Sequence, residues 1–228
     1  MKTLLSTIAL VSALAVQAQQ RQRQATLSGG LEVGIPVGEF DDTWGRQFAG
    51  LSGNFAVPMR RLPFSYGFDF AWARMGSQSR EVSIDEENIA SSTGEMSVRS
   101  DVFGYHGLLR LQPFTGKVSP YAEVLGGMRQ FTTRTEIEVE GMDEPLFEQR
   151  NEDKFIASTG WAAGVQVTPG KQRNFFVEGR VESLTGGQVT YVDPRSIAID
   201  PTTNEVTYET LTSGTRVVNI TFGIGLRF

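Results

Sequence analysis

His106 is the only histidine in the 228-residue chain, and there is no cysteine. A hydrolase reading of such a chain would use His106 as general base, with Glu123 on the neighbouring strand orienting it. A lipid-deacylating version wants a serine two residues beyond the histidine on the lipid side, and Leu108 stands there. Spacing supplies no other nucleophile. The commoner role for such a histidine is membership of an internal polar network. The missing cysteine excludes thiol catalysis, disulfide staples and zinc–thiolate sites, and a single histidine excludes a multi-histidine metal centre. Two acidic clusters, Asp85-Glu86-Glu87 and Glu136, Glu138, Glu140, Asp143 and Glu144, carry oxygen ligands suited to Ca²⁺ or Mg²⁺. No Asp-x-Asp-x-Asp-Gly loop accompanies them, so they read as a solvated acidic rim, and neither a metal site nor a cofactor is assigned.

A larger polar set has a regular position. Glu32, Asp69, His106, Arg110, Glu123, Arg129, Glu178, Arg180, Glu182 and Arg227 each lie on the opposite parity from an apolar series. Eight runs show this period of two: Leu27–Ile35, Leu51–Val57, Phe64–Trp72, Phe103–Leu111, Ala122–Met128, Trp161–Val167, Phe175–Val181 and Val218–Phe228. One face is apolar enough to meet lipid. Burying the other in a soluble core would cost several kcal/mol per unpaired ion. Inside a narrow barrel in a membrane, the acids and bases pair with one another, and closure satisfies every backbone amide.

The expected fold is therefore all-β: a closed antiparallel up-and-down transmembrane barrel of eight strands, whose interior side chains fill. A hairpin is expected over Arg195–Asp200 and Glu205–Thr210, around Pro201-Thr202-Thr203-Asn204. Ten strands would result if such hairpins joined the wall. Outward aromatics at Phe64, Tyr66, Trp72, Phe103, Tyr105, Trp161, Phe175 and Phe228 suit interfacial girdles. Gly29-Gly30 and Gly126-Gly127 precede no helix, so they read as positions of tight curvature and not as phosphate loops.

The connections alternate. Short ones at Pro58–Pro63, Pro113–Pro120 and Pro169–Arg173 contain proline, which ends a strand. Long ones run over Pro36–Gln47, Gly76–Val98, Arg134–Lys154 and Thr185–Thr215. Every long connection is acidic overall, whereas the short turns and the amino-terminal tail hold Arg21, Arg23, Arg60, Arg61, Lys117, Lys171 and Arg173 and no acid. The net charge of -5 and pI near 5.1 argue against a nucleic-acid partner. Residues 1–18 read as a secretory signal peptide: Lys2, an apolar stretch from Leu4 to Val16, then Val16-Gln17-Ala18 before Gln19. Residues 19–25 form a polar tail, and 26–228 the barrel domain.

The closing segment, Thr221-Phe222-Gly223-Ile224-Gly225-Leu226-Arg227-Phe228, resembles the terminal signal read by the bacterial outer-membrane assembly machinery, through Thr221, Gly223, Leu226 and Phe228. With the signal peptide and eight strands, the chain resembles the small outer-membrane β-barrels of Gram-negative bacteria, broadly OmpA/OmpX-like. Gly34-Ile35-Pro36-Val37-Gly38-Glu39-Phe40 and Val192-Asp193-Pro194-Arg195-Ser196-Ile197 look like the version common in Bacteroidetes. The resemblance implies an integral outer-membrane location and a periplasmic tail. It implies contact with outer-membrane lipid and lipopolysaccharide, and delivery by the assembly machinery. The family shares no catalytic residues. The leading expectation is a non-enzymatic barrel with a plugged lumen, whose loops stabilise the envelope or bind an external partner. The alternatives are an enzyme acting on lipid A or a peptide, and an accessory of a secretion machine docking through its periplasmic turns.

Overall fold

The computed structural model describes residues 23–60, 62–86, 89–139, 147–170, 174–199 and 206–228. The signal peptide expected over 1–18 lies outside them, as do Arg61, Lys171, Arg173 and the hairpin tip at 201–204. Eight antiparallel strands close a barrel: β1 (Thr26–Pro36), β2 (Phe48–Pro58), β3 (Phe64–Glu86), β4 (Ile89–Leu111), β5 (Val118–Val139), β6 (Phe147–Val167), β7 (Phe175–Gly186) and β12 (Val217–Arg227). Each pairs with its chain neighbours. β1 closes on β12 from Thr26 opposite Arg227 to Pro36 opposite Val217. Eleven-residue strands such as β1 and β2 are about 36 Å long, enough to cross a bilayer's apolar layer at the tilt of a barrel.

β3 to β6 are about twice that length, at 21 to 23 residues. The stretches expected as loops over Gly76–Val98 and Arg134–Lys154 are therefore largely strand. The β3–β4 ladder runs out to Glu86 opposite Ile89, and β5–β6 to Ile137 opposite Phe147. Thr133-Arg134-Thr135-Glu136-Ile137-Glu138-Val139 keeps β-branched residues in a period of two, with charge in place of lipid-facing apolar residues. A strand that leaves the membrane needs no apolar outer face, so apolar alternation alone misses it.

The inner face of this extension is covered. β8 (Gln188–Val192) pairs with β11 (Thr210–Gly214), and β9 (Ala198–Ile199) with β10 (Val206–Thr207), as two small separate sheets. Neither pair joins the wall, so the count is eight and not ten. Val192 and Ile197 bury against Met96, Val98 and Ile137 in one apolar cluster. Arg195 and Asp193 clamp the adjoining turn, with N–O distances of 2.7 and 3.0 Å. Burial would raise the Asp193 carboxyl, but the Arg195 guanidinium and backbone amide hold it below its ordinary value.

The first long connection contains a six-residue helix, α1 (Glu39–Trp44), which alternation did not reveal. Phe40 and Trp44, four residues apart, share the buried face. At the opposite end the turns are short. Met59 N–H donates to the Phe64 carbonyl at 2.9 Å, and Thr168 N–H to that of Lys117 at 2.8 Å.

Candidate functional site

Alternation along each strand sends one residue in two into the lumen. Asp69, His106, Arg110, Glu123, Arg129, Arg180, Glu182, Glu32 and Glu178 are all no more than 5% exposed. Meanwhile Leu31 and Phe222 are 70% exposed, and Tyr66, Trp161 and Phe228 more than half exposed. The apolar surface is outside and the charge inside, the inverse of a soluble protein. An exposed apolar belt over a closed ladder with no free edge is a wall made for a bilayer.

Arg180 is the centre of the lumen. Its Nη1 lies 2.7 Å from Asp69 Oδ1, Nη2 2.6 Å from Glu182 Oε2, and Nε 3.1 Å from Glu123 Oε2. Arg110 takes the other oxygen of Glu123 at 2.6 Å and donates to Asn54 Oδ1 at 2.6 Å. Its guanidinium stacks 4.2 Å from the Tyr121 ring centroid. Asn54 donates to Asp69 at 3.3 Å, and Asn219 to Glu182 at 3.0 Å. Five of the ten sequence-derived residues thus form one continuous network.

A second, smaller group occupies the turn end. Gln166 donates to Glu178 at 3.0 Å and accepts from Arg227 at 3.0 Å, with Arg227 over the Phe176 ring at 4.8 Å. Toward the other end, Arg129 Nη1 donates to the Thr215 carbonyl at 2.8 Å and covers the Phe131 ring. Glu32 Oε2 and both ring nitrogens of His106 are buried without a hydrogen-bond partner among the described residues.

Asn54, Asn219, Gln166 and Tyr121 were missed by a search for charge. Their inward parity was the available signal. Above them sits an apolar cap. Phe40 of α1 meets Phe48, Phe131 and Tyr191 with ring centroids 6.4, 6.3 and 5.9 Å apart, and Trp44 meets Tyr191 at 5.8 Å. Gly214 N–H donates to Glu39 Oε2 at 3.0 Å, tying the helix to β11. Fully burying one such aromatic contributes about 1.5–3 kcal/mol.

The hydrolase geometry is not assembled. Both Glu123 oxygens serve arginines, and His106 hydrogen-bonds to no carboxylate or hydroxyl among the described residues. Leu108 faces inward, 5% exposed. No group of three or more acids and histidines that could hold a metal occurs among the described residues. Residues Glu87, Glu140, Asp143 and Glu144 of the acidic clusters lie outside those described.

No known protein family and no curated protein matches the chain. Solved structures give likenesses of general shape. The attachment invasion locus protein Ail of Yersinia pestis is 13% identical with a TM-score of 0.46, over 91% of this chain and 100% of that one. The neisserial surface protein A is 10% identical at 0.42, over 90% and 97%. The outer membrane protein OprG of Pseudomonas aeruginosa is 12% identical at 0.43, over 92% and 98%.

Proposed function

We propose that the chain, an integral outer-membrane β-barrel, performs no chemistry: its lumen is a charged plug, and its long acidic hairpins stabilise the envelope or bind a partner outside the cell. The observation that carries this reading is the Arg180–Asp69–Glu123–Glu182 network, continuous through Arg110 and Asn54 and roofed by the Phe40–Trp44–Tyr191 cap. A conduction path would need that network and cap to part. The length asymmetry supports the orientation, with short turns on the periplasmic side. The test has two parts. The protein should fractionate with the outer membrane and migrate differently on gels before and after boiling. Reconstituted in planar bilayers, it should give no large steady conductance. Recovery as a soluble protein, or open-pore currents, would contradict the reading.

The same reading makes Thr221, Gly223, Leu226 and Phe228 an assembly signal. Phe228 also serves closure: it exchanges two 3.0 Å backbone hydrogen bonds with Ala25, and its ring stacks on Phe55 at 6.5 Å. Deleting Phe228 should lower stability in detergent by only a few kcal/mol, as for loss of a large apolar side chain. Outer-membrane levels in cells should fall far more, and Phe228→Lys should be worse than Phe228→Leu. Equal outer-membrane amounts for wild type, deletion and Phe228→Lys would leave Phe228 as an ordinary wall residue.

A further inference from the structure

The outer face of β3 to β6 changes character in bands. Trp72, Phe103, Gln130 and Phe155 are opposite one another in register across the four strands. One step outward come Arg74, Asp101, Thr132 and Asp153, and beyond these Arg99, Arg134 and Arg150, each directly opposite the next. Further out again are Glu136 opposite Glu148, then Glu81, Glu95 and Glu138. Residues directly opposite on antiparallel strands share a face, and like charges in that relation are destabilising. Arg99 directly opposite Arg134 is therefore a cost to the free protein unless something anionic meets the pair.

The protein's own carboxylates answer only part of that charge. Asp101 is committed to Arg74 at 3.1 Å. Glu136 reaches Arg99 only at 3.8 Å. Arg134 is exposed and has no ion pair among the described residues. One row below, Thr132 is 8% exposed and its hydroxyl lacks a hydrogen-bond partner among the described residues. Each row lies about 6.6 Å further along the strands. At a barrel's tilt the arginines stand roughly 10 Å above the Trp72–Phe103–Phe155 row, within reach of the headgroup layer for such long side chains.

We propose that Arg99 and Arg134, with Arg74 one row below, form a site on the outer wall for the phosphomonoester of a lipid headgroup in the surrounding leaflet. This rests on the outer-membrane reading above. Adjacent guanidiniums match the oxygens of a doubly charged phosphate, and the phosphate removes the repulsion that their register creates. The Glu81–Glu95–Glu138 band above faces away from the membrane, so an anion is received at the arginine row and not beyond it.

The test is thermal unfolding of the full barrel in neutral detergent micelles, alone, with phosphorylated lipid A, with the same lipid stripped of phosphate, and with inorganic phosphate. The wild type should be stabilised by phosphorylated lipid A and by neither of the other additions. The variant Arg99→Gln/Arg134→Gln should be as stable as wild type or more so without lipid, and should bind phosphorylated lipid A at least tenfold more weakly. Arg60→Gln/Lys117→Gln, which changes charge equally at the turn end, should bind as the wild type does. Unchanged lipid binding by the arginine-row variant, or equal losses in both variants, would overturn the site. Equal stabilisation by inorganic phosphate would overturn the lipid assignment. Failure of the wild type to show a boiling-dependent gel shift would instead overturn the barrel reading beneath it.

Discussion

Arg180→Ala should destabilise the barrel by about 3–5 kcal/mol, the range for removing one partner of a buried ionic cluster. Arg180 is 4% exposed and touches Asp69, Glu123 and Glu182, themselves 1–3% exposed. Its loss leaves three neighbouring carboxylates sharing one remaining arginine, Arg110, which reaches only Glu123. The attraction disappears while the desolvation cost stays. Urea unfolding in micelles, followed by tryptophan fluorescence, measures the loss. Arg180→Met combined with Asp69→Asn and Glu182→Gln should recover much of it, because it removes the orphaned charges too. Arg129→Ala is the internal comparison. Arg129 donates to a backbone carbonyl and forms no ion pair among the described residues, so its loss should cost less. A cost below about 1 kcal/mol for Arg180→Ala would mean that water in the lumen solvates the acids, contrary to the plug.

The second large effect separates neighbouring glycines. In Gly126-Gly127, a Cβ on Gly127 would lie 2.0 Å from the Tyr105 carbonyl oxygen and 2.8 Å from the His106 Cα, whereas one on Gly126 would meet nothing within 4 Å. In Gly29-Gly30, the inward Gly30 would meet the Phe222 carbonyl oxygen at 2.3 Å, and Gly29 its nearest atom at 3.5 Å. Backbone cannot step aside as a side chain can, because it carries the ladder that closes the wall. Gly127→Ala and Gly30→Ala should each reduce folded barrel severely, by more than the 1–3 kcal/mol typical of overpacking. Gly126→Ala and Gly29→Ala should be near neutral or slightly stabilising, since alanine restricts the unfolded chain. The yield of the unboiled, fast-migrating gel form reads all four. Equal yields within each pair would show that strand curvature does not need the inward glycine.

Parity placed Arg180, Asp69, Glu123 and Glu182 on inward positions, because a strand's two faces are set by counting residues. It did not show that Arg180 would take all three acids while Glu32 Oε2 and both His106 ring nitrogens stay without a hydrogen-bond partner among the described residues. Which inward residues meet depends on the stagger between strands far apart in sequence, such as β3 and β7.

The amino-acid sequence alone determined the eight-strand closed barrel, its apolar outside and charged inside, the proline-stopped turns and the curvature glycines as dipeptides. These follow from period-two patterning and from backbone rules that act within a few residues. Tertiary structure alone decided that the acidic stretches after Gly76 and Arg134 continue as strands. It also decided that β8 and β11 fold over the inner face of that extension, and that Phe40 and Trp44 roof the lumen. Each of these depends on a surface supplied by another part of the chain. The polar extension is held by its partner strand, the hairpin by Met96, Val98 and Ile137, and the helix by Phe48, Phe131 and Tyr191. Six residues of helix have no stability of their own in water, so only the apolar mouth of the closed barrel selects that conformation.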